Sequence, residues 1–352
     1  SSCSAMPCVK PWTRSCGEVM SEHLLEVDDL YVEFRTRDGV AKAINGVSYT
    51  LDAGETLAVL GESGSGKSVT AQTIMGILDM PPGFITGGEI RYKGRDLLQM
   101  PEKERQKIRG AEIAMIFQDS LSALNPVFTV GDQISEMFQV HRGMSKKEGM
   151  KRAVDLMEQV RIPGAKDRVK DYPHQFSGGM RQRIMIAMAI SLDPAVLIAD
   201  EPTTALDVTV QAQIMELLQE LQRERNMGMI LITHDLGVVA GVADKIAVMY
   251  AGRIVEDADV LTLYGSPAHP YTEGLLASMP RVDSKGEELY AIKGLPPSLM
   301  NLPPGCNFNP RCPYKKDICL QEVPPREEVA PGHGSACFFW EEVFDARTDS
   351  AS

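Results

Sequence analysis

Apolar and polar residues alternate through much of the first hundred positions. In "LLEVDDLYVEFRT", "AKAINGVSYTLD" and "GGEIRYKG" every second side chain falls on one face, which predicts half-buried antiparallel strands. Later apolar runs are continuous. "TLAVLG", "AVLIAD" and "GMILITHD" are short, fully apolar and separated by helical stretches, the pattern of a parallel sheet covered on both faces. "VTVQAQIMELLQELQRE" has apolar residues at helical spacing with a charged outer face, and "SVTAQTIMGIL" follows a glycine loop, so both are predicted helices on that sheet. The pattern changes after about residue 264. "GSPAHPYTEGLLASMPR" and "GLPPSLMNLPPG" are rich in proline and glycine, which predicts an appended, loop-rich unit without a core of its own, beginning near Gly265. Within it, His269, Pro270 and Tyr271 read as the end of one helix and the start of another.

The glycine loop carries the first chemistry. "GESGSGKS", Gly61 to Ser68, fits G-x-x-x-x-G-K-[ST] and lies between the strand "TLAVL" and a helix, where a phosphate-binding loop must lie. Gly61, Ser63, Gly64, Ser65 and Gly66 let backbone amides curl round phosphate oxygens, and the helix start at Lys67, Ser68 and Val69 adds positive potential. Lys67 reaches the β and γ phosphates of a nucleotide, and the Ser68 hydroxyl suits Mg²⁺. "AVLIADEP" supplies acid groups. A buried strand delivers Asp200 to its polar end as a second Mg²⁺ contact, and Glu201 beside it can polarise an attacking water. Between these elements, Ser177, Gly178 and Gly179 in "FSGGMRQRIMIAMAI" open a helix and form a second anion site, about twenty residues before Asp200.

Composition narrows the partners. The chain has 352 residues, 43% of them hydrophobic, ample for a large core. Its formal charge of −12 argues against nucleic acid as the partner, since phosphate neutralisation needs clustered Lys and Arg. No run reaches the roughly 18 apolar residues that read as a membrane span; "IMIAMAISLDPAVLIAD" is broken by Asp193 and Pro194, so membrane contact is expected to be peripheral. Residues 1–21 lack a continuous apolar segment of the secretory type and read as a disordered leader, with Cys3, Cys8 and Cys16 as free thiols.

The order and spacing of these elements resemble the ATPase subunit of an ABC transporter over roughly residues 24–264. The resemblance implies an α/β P-loop ABC ATPase domain over 22–264, with a parallel core sheet, an antiparallel N-terminal subdomain and a helical subdomain. A small loop-rich extension over 265–345 and a tail of 346–352 follow. It also implies roles at matching positions. Gln118 in "MIFQD" is similar to the glutamine that touches Mg²⁺ and faces the membrane partner. Asp207 in "TALD" resembles a dimer-contacting loop, His234 in "LITHD" the switch histidine at the γ-phosphate, and Phe34 in "LYVEF" the aromatic that stacks on adenine, with Tyr31 the alternative. Catalysis would then rest on Glu201, His234, Lys67 and Gln118. The family further implies a head-to-tail dimer in which Ser177, Gly178 and Gly179 complete the partner's site; here the motif reads "FSGGM" rather than the commoner Leu-Ser-Gly-Gly-Gln.

"QDSLSALNPVFTVGDQI" is similar to importer segments that receive the membrane subunit. "SPAHPYTEGLLASMP" with "GLPPSLMNLPPGCNFNPRCP" resembles the C-terminal extension of dipeptide, oligopeptide and nickel permease ATPases, through about Cys337. The implied function is ATP hydrolysis powering import of di- or oligopeptides. The implied partners are a second, related ABC ATPase, two permease subunits and an extracytoplasmic substrate-binding protein, at the cytoplasmic face of the membrane. Nickel, heme or glutathione import, and a soluble non-transport ABC ATPase, are the alternatives.

Cys306, Cys312, Cys319 and Cys337 are separated by five, six and seventeen residues, without the C-x-x-C knuckles of zinc ribbons. Loop-borne thiolates suit iron-sulfur ligation, and disulfides are disfavoured where cytosolic ATP is consumed. Relatives with matching cysteines imply a [4Fe-4S] cluster that ties the tail into shape; zinc is the alternative ligand and free thiols the third reading.

Overall fold

The computed structural model describes residues 23–279 and 292–348. The leader with its three cysteines, and residues 349–352 of the tail, lie outside the described residues. The chain opens with β1 (Leu25–Thr36) and β2 (Gly39–Leu51), then β3 (Thr56–Leu60) and α1 (Lys67–Met75), and returns to the first layer with β4 (Gly83–Tyr92) and β5 (Arg95–Asp96). The antiparallel order is β2-β1-β4-β5. Alternation explains it: Leu25, Val27, Leu30 and Val32 turn inward from β1 and meet Ile44, Val47, Leu51 and Ile90 in one core, while the intervening acidic residues face outward.

Next come α2 (Glu102–Ile108), β6 (Ile113–Ile116) and α3 (Ser120–Ala123). A helical layer follows, of α4 (Val130–Arg142), α5 (Lys146–Gln159) and α6 (Ala165–Arg168). α7 (Gly178–Ala189), β7 (Val196–Asp200), α8 (Val208–Arg225), β8 (Gly228–Thr233), α9 (Leu236–Val239) and β9 (Lys245–Tyr250) then alternate as the sequence predicts. Strands β9-β3-β8-β7-β6 run parallel at the centre of a second sheet. β3, β7 and β8 are buried at every residue, which is why they are continuous apolar runs. Ile214, Met215, Leu217, Leu218 and Leu221 of α8 recur at helical spacing and pack into the core beneath. Burying one such side chain stabilises the fold by about 1.5–3 kcal/mol.

The C-terminal region completes the sheet. β10 (Arg253–Asp259) pairs antiparallel with β9 and leads to α10 (Val260–Gly265) and α11 (Pro270–Ala277). After the cysteine loops, β11 (Glu327–Ala330) and β12 (His333–Ser335) extend the same sheet, β12 pairing with β10, before α12 (Trp340–Thr348). The tail packs against the main sheet. Phe308 of the tail is buried against Tyr250 of β9 and Tyr271 of α11, with ring centroids 5.2 and 5.5 Å away. The local composition is loop-rich because the tail borrows its core from the sheet. His269 and Pro270 do start a helix: His269 caps α11, its Nδ1 accepting the Tyr271 amide at 3.1 Å, and Pro270 is the first helical residue, where no amide partner is needed.

Candidate functional site

The loop between β3 and α1 owes its shape to glycine. Gly61 has φ +153° and a Cβ there would lie 2.1 Å from the Met249 carbonyl oxygen; Gly66, at φ +107°, would meet the Ala43 oxygen at 2.6 Å. Any larger residue forces the backbone apart. Lys67 is buried at 5% exposure, its Nζ donating to the Gly61 and Glu62 carbonyls at 2.7 and 3.0 Å. Burial pushes its pKa down against the opposing pull of the Glu201, Asp200 and Glu62 carboxylates. The ammonium is thus parked on loop carbonyls, within a site that is net acidic. Ser65 Oγ is buried with no hydrogen-bond partner among the described residues, and Ser63 and Gly64 are exposed at the rim. An orphaned hydroxyl in a glycine loop fits an anionic ligand that brings its own acceptors.

Ser68 Oγ donates to Asp200 Oδ1 at 3.1 Å, joining the start of α1 to the end of β7. Asp200 is 4% exposed, and burial raises its pKa, opposed by the Ser68 bond. This pair of hard oxygen donors fits Mg²⁺. Glu201 follows at φ +44°, a strained conformation for a non-glycine residue, held by its amide donating to the Ile232 carbonyl at 2.9 Å. That twist turns its carboxylate toward three donors. Gln118 Nε2 and Thr204 Oγ1 donate to Oε2 at 2.7 and 2.9 Å, and His234 Nδ1 lies 3.3 Å from Oε1. Burial would raise the Glu201 pKa, but the Thr204 and His234 bonds and the charges of His234 and Lys67 hold it below the usual carboxylate range. Residues from four separate elements therefore meet: Lys67 and Ser68, Gln118, Asp200 and Glu201, and His234.

The other predicted positions are placed apart. Phe34 and Val69 both pack, partly buried, on the core of the antiparallel layer. Ser177 caps α7, accepting the Met180 amide at 3.4 Å, and with Gly178, Gly179 and Asp207 lines a cavity of about 450 Å³ that no residue of the phosphate loop touches. The helix starts at Lys67 and Gly178 lie in one chain and are not brought together. Asp207 caps α8, accepting the Val210 amide at 3.0 Å.

The four tail cysteines line one small cavity with His269, Phe308 and Phe339. None is in a disulfide. Burial pushes the Cys312 and Cys337 thiols up to about 12 and raises Cys306. The Phe339 amide donates to Cys337 Sγ at 3.4 Å. Among the described residues no three His, Cys, Asp or Glu side chains are close enough to hold a single metal ion. The four thiols are soft donors gathered on one cavity, the donor type that iron-sulfur and zinc sites share.

Sequence reasoning missed the groups that hold these residues. Thr204, in the polar turn formed by "EPTTAL", gives no local signal of its bond to Glu201. Glu62, inside the loop itself, meets Arg311 from the tail, 249 residues away.

Residues 44–204 match the family described as "ABC transporter", and residues 255–319 match "Oligopeptide/dipeptide transporter, C-terminal region". The oligopeptide transport ATP-binding protein OppD of Salmonella typhimurium is 54% identical, spanning 90% of this chain and 93% of the relative. The dipeptide transport ATP-binding protein DppD of Bacillus subtilis is 51% identical over 90% of this chain and 95% of its own length. The fold matches the ATP-binding cassette MJ0796, solved as a dimer bound to ADP and Pi, with a TM-score of 0.60 and 26% identity over 67% of this chain and 98% of that one.

Proposed function

Because the chain belongs to the ABC transporter ATP-binding family, in the branch whose curated members serve oligopeptide and dipeptide transport, we propose the following reading of its site. The protein is an ATPase that powers peptide import, and works with membrane permease partners. Relatives named for oligopeptides and dipeptides favour peptides over nickel, heme or glutathione as cargo. They also favour transport over a soluble, non-transport role.

The observation that carries the mechanism is the meeting of Gln118, Thr204 and His234 on Glu201, beside Lys67, Ser68 and Asp200. Residues 61–69 bind the phosphates: backbone amides surround them, Lys67 leaves its two loop carbonyls for the β and γ oxygens, and Phe34 takes the adenine. Ser68, Asp200 and Gln118 would hold Mg²⁺, which screens phosphate charge when bound. Glu201, kept ionised, accepts a proton from the water that attacks the γ-phosphorus. His234 is exposed on one side and bound to Glu201 on the other, so it can exchange that contact for the γ-phosphate. Ser177, Gly178 and Gly179 close the partner subunit's site. Their cavity lies apart from the phosphate loop of the same chain, so completion requires a second subunit, and a related ATPase fits that place. The Ser177 hydroxyl accepts from the Met180 amide and keeps its own proton free for a phosphate oxygen.

No helix among the described residues is long and apolar enough to cross a membrane. Attachment at the cytoplasmic face would run through the permease, near the exposed Phe117, Val127 and Phe128 that flank Gln118 in sequence. A substrate-binding protein outside the cell would deliver peptide. In the tail, Cys306, Cys312, Cys319 and Cys337 would hold a [4Fe-4S] cluster.

The direct test is Glu201→Gln in the assembled importer. Turnover is expected to fall by roughly 100-fold or more, with nucleotide binding retained. Unchanged turnover would remove Glu201 from the chemistry.

A further inference from the structure

The loop expected to receive a polyphosphate carries a carboxylate of its own. Glu62 follows Gly61, and an uncompensated negative charge there opposes an anionic ligand. The tail supplies the compensation. Arg311 bridges both carboxylate oxygens, Nη1 donating to Oε2 at 2.7 Å and Nη2 to Oε1 at 2.9 Å, from a side chain only 4% exposed. Its own position is fixed by Nε donating to the Lys293 carbonyl at 3.2 Å. The other polar groups of Glu62 are held too. Its amide donates to the Tyr271 hydroxyl at 2.9 Å, and its carbonyl accepts from Lys67 Nζ at 3.0 Å. Glu62 is thus the point where the tail, α11 and the phosphate-binding lysine meet. Arg311 directly precedes Cys312, which lines the thiol cavity.

We propose that Arg311 is a positioning residue for the nucleotide, and that through it the C-terminal tail is part of the phosphate site rather than an accessory to it. Arg311 cancels the charge of Glu62 and fixes the loop from which Lys67 acts. A planar guanidinium matches both oxygens of the carboxylate at once, which a single ammonium cannot do. This rests on residues 61–68 being a nucleotide site, and the experiment separates the two ideas.

ADP binding to the full-length chain is measured by titration calorimetry in the wild type, Lys67→Ala, Arg311→Ala, Arg311→Lys, Glu62→Gln and the Glu62→Gln/Arg311→Ala pair, with a thermal melt of each. Arg311→Ala is expected to weaken ADP binding about ten-fold, because it leaves Glu62 uncompensated beside the phosphates. The double variant, which has no charge to compensate, is expected to recover to within about three-fold of the wild type. Arg311→Lys keeps charge and stem, so folding is preserved, and it is expected to lose about three-fold or more. Wild-type affinity in both Arg311 variants overturns the proposal. So does a double variant that binds no tighter than Arg311→Ala, because a purely structural arginine is not rescued by neutralising its partner. If Lys67→Ala abolishes binding while the Arg311 variants keep it, only the positioning role fails; if Lys67→Ala binds normally, the nucleotide reading itself fails.

Discussion

Glu201 shows how a side chain is tuned by neighbours the local sequence does not announce. Three donors converge on it, and two of them, Gln118 and His234, are signalled in the sequence only through the family resemblance. Thr204 is not signalled: a threonine in a turn has many uses, and only the twist at Glu201 brings its hydroxyl to 2.9 Å. The Glu201 carboxyl is held below its usual range, so the stabilisation these bonds confer exists above ordinary glutamate pKa values and is lost as pH falls through the depressed value. Removing a donor must therefore move that loss upward in pH. Thr204→Ala is expected to shift the acid limb of the ATPase pH profile up while the plateau rate changes little. Coincident acid limbs in variant and wild type would show that Thr204 does not tune the base.

At the scale of elements, legibility follows burial. β3, β7 and β8 are readable as parallel strands because sheet packing on both faces favours apolar residues throughout their middles, and α8 because one face is buried and the other solvated. β11 and β12 are not readable. They are four and three residues long, have no apolar alternation, and exist because β10 offers a free edge. Beyond the ladder to β10, part of what fastens them is one buried acid. Glu256 of β10, 0% exposed, accepts the Ala268 and His269 amides at 2.6 and 2.9 Å and faces His333 Nε2 of β12 at 2.8 Å. Its place among the buried positions of "RIVEDAD", beside Ile254, Val255 and Ala258, is a faint sequence trace of this knot. Glu256→Ala would strand two amides and an imidazole away from water, at a cost of roughly 3–5 kcal/mol. The expected result is a lowered urea midpoint and new protease cleavage after residue 292. A loss under about 1 kcal/mol would mean that the tail is held by its aromatic contacts instead.

Across the whole molecule, these attachments change what the cysteines have to do. A tail without a core would need a metal simply to fold, as small metal-bound units do. This tail has Phe308 against Tyr250 and Tyr271, two strands on the main sheet, and Arg311 on the phosphate loop. Its overall course is therefore set without a metal, and the thiol cavity adds order to a region already anchored. The four thiols, of which Cys319 is buried and the others are half-buried, line one cavity. Two have pKa values pushed up to about 12 by burial, against the weaker pull of the Lys315 charge on Cys312. The cluster proposed above would add positive charge that favours the thiolates. The chain purified without oxygen is accordingly expected to carry about four irons and four acid-labile sulfides, and Cys312→Ser to lose both while its far-ultraviolet spectrum and sheet core persist. Zinc in stoichiometric amount, with no sulfide, would replace the cluster by a mononuclear site. Absence of both metals from a folded, nucleotide-binding chain would leave the four thiols as apolar packing. The cysteine spacing carries no geometry by itself, because loops this irregular take shape only once Phe308 packs on Tyr250 of the sheet and Asn309 ties the loop, its Nδ2 donating to the Pro304 and Cys306 carbonyls at 2.8 Å.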